Sequence, residues 1–203
     1  LSRIFNTCVG RARNVEYMDT STALLRVLDQ LADLLDRAAD TPPTAPTPCS
    51  DYDFQTLRAH VVGWLTAFTD GFTSDDHRCS DAGSVTVEGS GADQVRQAAA
   101  RLREVLPAAL AHPLNIGDAG MPGDMAASMI LWEYQVHGWD LARAAGVAWE
   151  PATDGLEASL AFAPGMLTPD FQGAGKAFAP RVDVGDDAPA LDRLVALSGR
   201  DPQ

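Results

Sequence analysis

Glu133 and His137 stand four residues apart in the stretch WEYQVHGWDLARAAG, residues 132–146. In a helix, residues at that spacing are neighbours on one face. The same face carries Met129, Ile130, Val136, Leu141 and Ala144, the apolar stripe that a helix turns toward a core. A carboxylate on such a stripe loses its hydration, and it then protonates or needs a compensating partner. Two compensations fit. Either Glu133 and His137 pair with each other or with polar neighbours, or both ligate a metal. His60 favours the metal, because it lies on a second inward stripe between Leu57 and Trp64. Two imidazoles and a carboxylate from facing helices form a donor set for Zn²⁺, and also for Ni²⁺, Fe²⁺ or Co²⁺. Three protein ligands leave a coordination position open, the pattern of a catalytic rather than a structural site. Asp140 lies one turn beyond His137 and suits either an imidazole N–H or a neighbouring loop.

The remaining reactive side chains read more simply. His77 sits in a polar loop and His112 precedes Pro113 at a helix exit, so both are expected at the surface. Cys49 directly precedes Ser50 near a helix start, where a thiol pKa falls, but a small packing residue is the expectation. Trp64, Trp132 and Trp139 read as core or pocket wall. The spacing supports no Ser-His-Asp arrangement.

Four helices must position these groups. The first follows from residues 18–40, where Leu24, Leu28, Leu31 and Leu35 repeat at helical steps and Asp19 or Thr20 is a natural N-cap. Residues 41–50, TPPTAPTPCS, hold four prolines and break it. Ser50-x-x-Asp53 then has capping-box form. The helix it opens carries Leu57, His60, Val61, Trp64, Leu65 and Phe68 on one stripe and ends near Gly71. Residues 73–91 read as a loop, or at most a short hairpin around VTV. A third helix over residues 92–110 points Val95, Ala98, Leu102, Val105 and Leu106 inward. Residues 112–123 read as a loop. The fourth helix runs from about Asp124 to Ala145, with Gly146 as its stop and Arg143 in the last turn. The tail reads as one short helix, then loop or extended chain. A final helix follows, with Asp187 as N-cap, Pro189 in its first turn and Gly199 as stop. The expectation is all-α: a four-helix bundle with a short mixed C-terminal segment.

Length and composition bound the rest. The 203 residues suit one domain, over 18–203. Residues 1–17 lack periodicity, and Met18 reads as an alternative start, so they are expected to be a dispensable extension, with their being native left open. The net charge of −13 repels phosphate backbones and anionic lipid, which sets nucleic acid and membrane aside. Three scattered cysteines without a CxxC argue for a reducing, cytoplasmic setting and against a zinc ribbon. Homodimerisation is left open. Of 15 basic residues only Lys176 is lysine, a pattern of high-GC coding.

Two stretches resemble a known family. PTPCSDYDFQTLRAH, residues 46–60, and EYQVHGWDLARAAG, residues 133–146, are similar to signature segments of the actinobacterial DinB-like proteins. They most resemble the group containing the mycothiol-dependent maleylpyruvate isomerase metal-binding domain. Residues 178–202 look like the tail of that group's stand-alone members. The resemblance covers residues 18–203 and implies a DinB-like four-helix bundle with a divalent metal on His60, Glu133 and His137. Tyr52 stands where the family commonly has Trp, a departure expected to lie away from the ligands. The isomerase's additional C-terminal domain lies outside the resemblance. The implied function is a metal-dependent S-transferase or isomerase, with mycothiol as cosubstrate and a small electrophile as substrate. No cysteine falls on the inward stripes of helices two and four. Water is therefore expected in the open position at rest, with a small thiol able to displace it. Two other classes stay open: a non-enzymatic metal- or ligand-binding bundle, and a thiol-independent metalloenzyme of biosynthesis.

Overall fold

A computed structural model describes residues 20–176 and 178–203. The extension at residues 1–17 and the Asp19 alternative for the first cap lie outside them. The described residues are mostly helical, with six α-helices and one two-stranded sheet. Four long helices come first: α1 (Thr20–Arg37), α2 (Phe54–Thr73), α3 (Ala92–Ala109) and α4 (Gly123–Ala145). Helices α1 and α2 each pack against both α3 and α4. Leu24, Leu28, Leu31 and Leu35 of α1 are buried in the shared core beside Leu57, Val61, Leu102, Ile130 and Leu141. Removing one such leucine from water contributes about 1.5–3 kcal/mol, so the repeat itself drives assembly. No described helix is long and apolar enough to cross a membrane.

The proline-rich segment does more than end α1. Its carbonyls at Pro43 and Ala45 accept the Gln55 and Phe54 N–H groups at 2.9 Å, satisfying two donors that a helix start leaves open. Asp53, not Ser50, caps α2: its side chain accepts the Thr56 N–H at 2.8 Å and the Thr56 hydroxyl at 2.6 Å. Ser50 lies in the preceding turn, where Thr47 Oγ1 donates to Cys49 O and Tyr52 O at 2.9 and 2.8 Å and fixes residues 47–52.

Those two Thr56 bonds hold the Asp53 carboxyl below its ordinary 3.8. A depressed folded-state pKa gives stability that is complete above the unfolded value and is lost as pH falls through the folded one. Asp53→Ala is therefore expected to lower the melting temperature at neutral pH, by an amount that shrinks in acid below 3.8. Melting curves of both proteins at neutral and acid pH check this. A deficit equal at both would remove the ionised cap from the account.

Residues 112–123 are not all loop. Strands β1 (Leu114–Ile116) and β2 (Ala119–Met121) pair antiparallel, Leu114 opposite Met121 and Ile116 opposite Ala119. Three-residue strands are too short to show a period. The clue was the two-residue Gly117-Asp118 connection, whose glycine takes a φ of 60°. The VTV segment forms no strand; only a 3₁₀ turn at Ala82–Ser84 precedes it.

The tail supplies α5 (Thr153–Met166) and α6 (Ala190–Leu197). Helix α6 starts later than expected, with Pro189 rather than Asp187 at its cap, because the Ala188 N–H closes a turn onto Gly185 O first. Both helices pack on α4, and Trp132, Val136, Leu156, Ala163, Leu167 and Leu194 form a second apolar cluster there. Helix α4 is consequently buried on two sides. This is why Trp132, Gln135 and Asp140 are buried although they lie off the predicted stripe.

Candidate metal centre

His60 comes from the middle of α2, and Glu133 and His137 from adjacent turns of α4. The three line one cavity of about 260 Å³, together with Cys49, Tyr52, Phe178 and Arg200. The two imidazole rings meet edge to face with centroids 5.3 Å apart. Among the described residues, no three or more His, Cys, Asp or Glu side chains are gathered as a metal-holding cluster. The three candidates surround the cavity without closing on a point.

Each histidine is held from behind. His137 Nδ1 lies 3.1 Å from Asp140 Oδ2. Asp140 is fully buried, and Arg200 donates to it from Nη2 to Oδ2 at 3.0 Å and from Nε to Oδ1 at 3.4 Å. Nδ1 of His137 is thereby engaged by Asp140, while Nε2 is free of that contact. Asp140 thus serves both uses considered for it, the imidazole and a distant loop.

His60 Nδ1 lies 3.3 Å from the Tyr52 hydroxyl, with ring centroids 5.0 Å apart. Tyr52 is therefore in contact with a candidate ligand, not remote from it. Burial pushes the His60 pKa down to about 4, helped by the nearby His137, so His60 is a neutral imidazole at neutral pH. Burial pushes the Glu133 carboxyl up, against the opposing charges of His137 and Arg200.

Cys49 is part of the cavity wall although it lies on no inward helical stripe. The loop fixed by Thr47 delivers it. Its thiol is pushed up by burial, with Arg200 opposing, so it lacks the activation that a helix N-terminus gives. Arg200, Phe178 and Ser198 were missed by sequence reasoning, since a turn after α6 and an irregular loop carry no periodic signal. Trp132 is pocket wall at one remove: it stacks on Phe178 at 5.3 Å and donates from Nε1 to Ser198 Oγ at 2.9 Å. Trp139 is buried in the main core, and Trp64 packs partly buried against it. His77 and His112 do not reach the cavity; their rings stack on each other at 4.7 Å.

Gly138, between His137 and Trp139, has a steric reason. A Cβ there would lie 2.4 Å from Trp149 Cζ2, and the Trp149 indole donates to Gln135 O at 3.0 Å. Only a glycine lets that ring lie against α4.

Two uncharacterized proteins, from two strains of Mycobacterium tuberculosis, are similar to this chain. Each is 27% identical over 186 residues, covering 90% of this chain and 98% of the relative. No family model matches the chain. No solved structure matches it either.

Proposed function

We propose that this chain is a DinB-like four-helix bundle holding a divalent metal on His60, Glu133 and His137, and that it is a mycothiol-dependent transferase or isomerase acting on a small electrophile. One observation carries the reading. Two imidazoles and a carboxylate from facing helices converge on one cavity, and each imidazole has its Nδ1 engaged by a partner. That is the outer-sphere arrangement metal-bound histidines adopt. The donor set fits Zn²⁺ best, with Ni²⁺, Fe²⁺ and Co²⁺ also suited. A bound divalent ion would supply one piece of chemistry, lowering the pKa of a thiol so that it is a thiolate at neutral pH. The protein does the rest. His60 and His137 would offer ring nitrogens to the ion and Glu133 a carboxylate oxygen. Phe178 and Ala179 line the same cavity, whose volume of about 260 Å³ suits the reactive end of a larger thiol.

The competing reading is a ligand-binding bundle without metal. One observation favours it: among the described residues the three candidates line the cavity without gathering as a metal-holding cluster. Elemental analysis of the purified protein separates the two. Thiol use is then tested in cobalt-loaded protein carrying Cys49→Ala, which removes the cavity's own sulfur. A near-ultraviolet charge-transfer band that saturates with mycothiol, and is absent with a thiol-free analogue, is the expected result. A spectrum indifferent to mycothiol and to glutathione would end the thiol proposal and leave only the metal site.

A further inference from the structure

We infer that His77 and His112 form a second metal site, at the surface, which takes one divalent ion such as Zn²⁺ or Ni²⁺ on two imidazole nitrogens. The inference is independent of the cavity lined by His60, Glu133 and His137.

Two loops deliver the pair. His77 follows α2 and His112 closes the turn after α3, yet their rings stack with centroids 4.7 Å apart and planes 15° apart. Each residue is fixed through its backbone. His77 takes the left-handed conformation at a φ of 50°. Its carbonyl accepts the Asn115 N–H at 2.7 Å, and its own N–H donates to Ser74 O at 3.2 Å. The His112 N–H donates to Ala109 O at 3.0 Å. The main chain therefore holds the two residues together while their rings stay free to turn. His112 is exposed and His77 half-buried, so an ion from solvent reaches both.

The surroundings suit a cation. Asp75 and Asp76 precede His77, in a chain whose net charge is −13. The neighbouring Arg78 is engaged elsewhere: its Nη1 donates to Gly117 O at 2.6 Å. Asn115 Nδ2 is likewise committed, to Asp76 O at 3.0 Å. Imidazole is a favoured donor for zinc, nickel and copper. A tetrahedral zinc ion with bonds of about 2.0–2.1 Å sets two such nitrogens roughly 3.3 Å apart. In the stack, the in-plane lone pairs run side by side. Binding therefore turns each ring about its Cβ–Cγ bond until one nitrogen of each faces the ion, and water fills the other positions. Two protein ligands hold an ion less tightly than three, so gel filtration should empty this site and leave the metal count of the purified protein unchanged. While bound, the ion clips the loop after α2 to the turn between α3 and β1.

The test runs the untagged full chain, dialysed against chelator, over immobilised Ni²⁺, which reaches surface imidazoles and not the cavity. Wild type should be retained, and His112→Gln should pass in the flow-through. His77→Asn should pass too; asparagine is chosen because it tolerates a left-handed backbone. Either variant retained as firmly as wild type would overturn the inference. Calorimetric titration with zinc gives the second readout. Wild type should show a weak binding event that both variants lack, and its absence from wild type would equally end the proposal. A strong event that persists in both variants belongs to the cavity. If wild type lacks that strong event, the reading of the cavity as a metal centre fails, while the weak event still decides the role of His77 and His112.

Discussion

His137→Ala is expected to abolish stoichiometric metal binding and leave the fold standing. A site of three protein ligands reduced to two should lose more than the roughly 10–100-fold that an outer partner is worth. The fold survives because the deleted ring is not what holds Asp140. Arg200 still donates to both carboxylate oxygens, and the core leucines of α1 are untouched. Glu133→Gln should likewise lose metal and keep the fold. Burial already drives that carboxyl toward its neutral form, so an amide relieves a cost rather than adding one. Elemental analysis and melting curves on the purified variants check both. Retention of one metal per chain in either would sink the ligand assignment.

Gly138→Ala should be costly for its size. A methyl placed 2.4 Å from Cζ2 and 2.6 Å from Cε2 of Trp149 meets the middle of a ring, not a flexible tip. The indole must tilt, weakening its bond to Gln135 O and opening packed surface. Overpacking of this kind costs roughly 1–3 kcal/mol, and each kcal/mol lowers the melting temperature by about 2–4 °C at this chain length. The cost should fall sharply when Trp149 is also replaced by leucine, because the clash partner is gone. A four-protein cycle of melting curves measures the coupling. Additive effects would show that the ring does not oppose the methyl.

What the sequence revealed, and what it hid, divides along the range of the interaction. The α1 leucines and the Gly146 stop, with its φ of 67°, are local and were legible. The faces carrying His60, Glu133 and His137 were legible too, because helical periodicity alone turns both stripes inward, and the three line one cavity. Asp53 displaced Ser50 as the cap because the proline segment folds back to serve the first α2 donors, a contact no capping pattern encodes. The second buried side of α4 was invisible for the same reason. It exists only because α5 and α6 return to cover it. Tyr52 and Cys49 reach the cavity through a loop whose course depends on the Thr47 hydroxyl, so their place could not be inferred from stripes.

Sixty residues separate Asp140 from Arg200, and this bears on the order of events during synthesis. Helix α4 leaves the ribosome well before its counter-cation is made. Helices α1 to α4 can begin to collapse on local, apolar contacts, but a carboxylate that ends fully buried has no arginine beside it at that stage. The region around His137 should therefore set last, after α6 has docked and carried Arg200 into place. Loop closure over so long a separation comes late in folding. Interactions absent from the folding transition state act mainly on unfolding. Weakening the Arg200 contact should thus leave the refolding rate nearly unchanged and make the finished protein come apart faster.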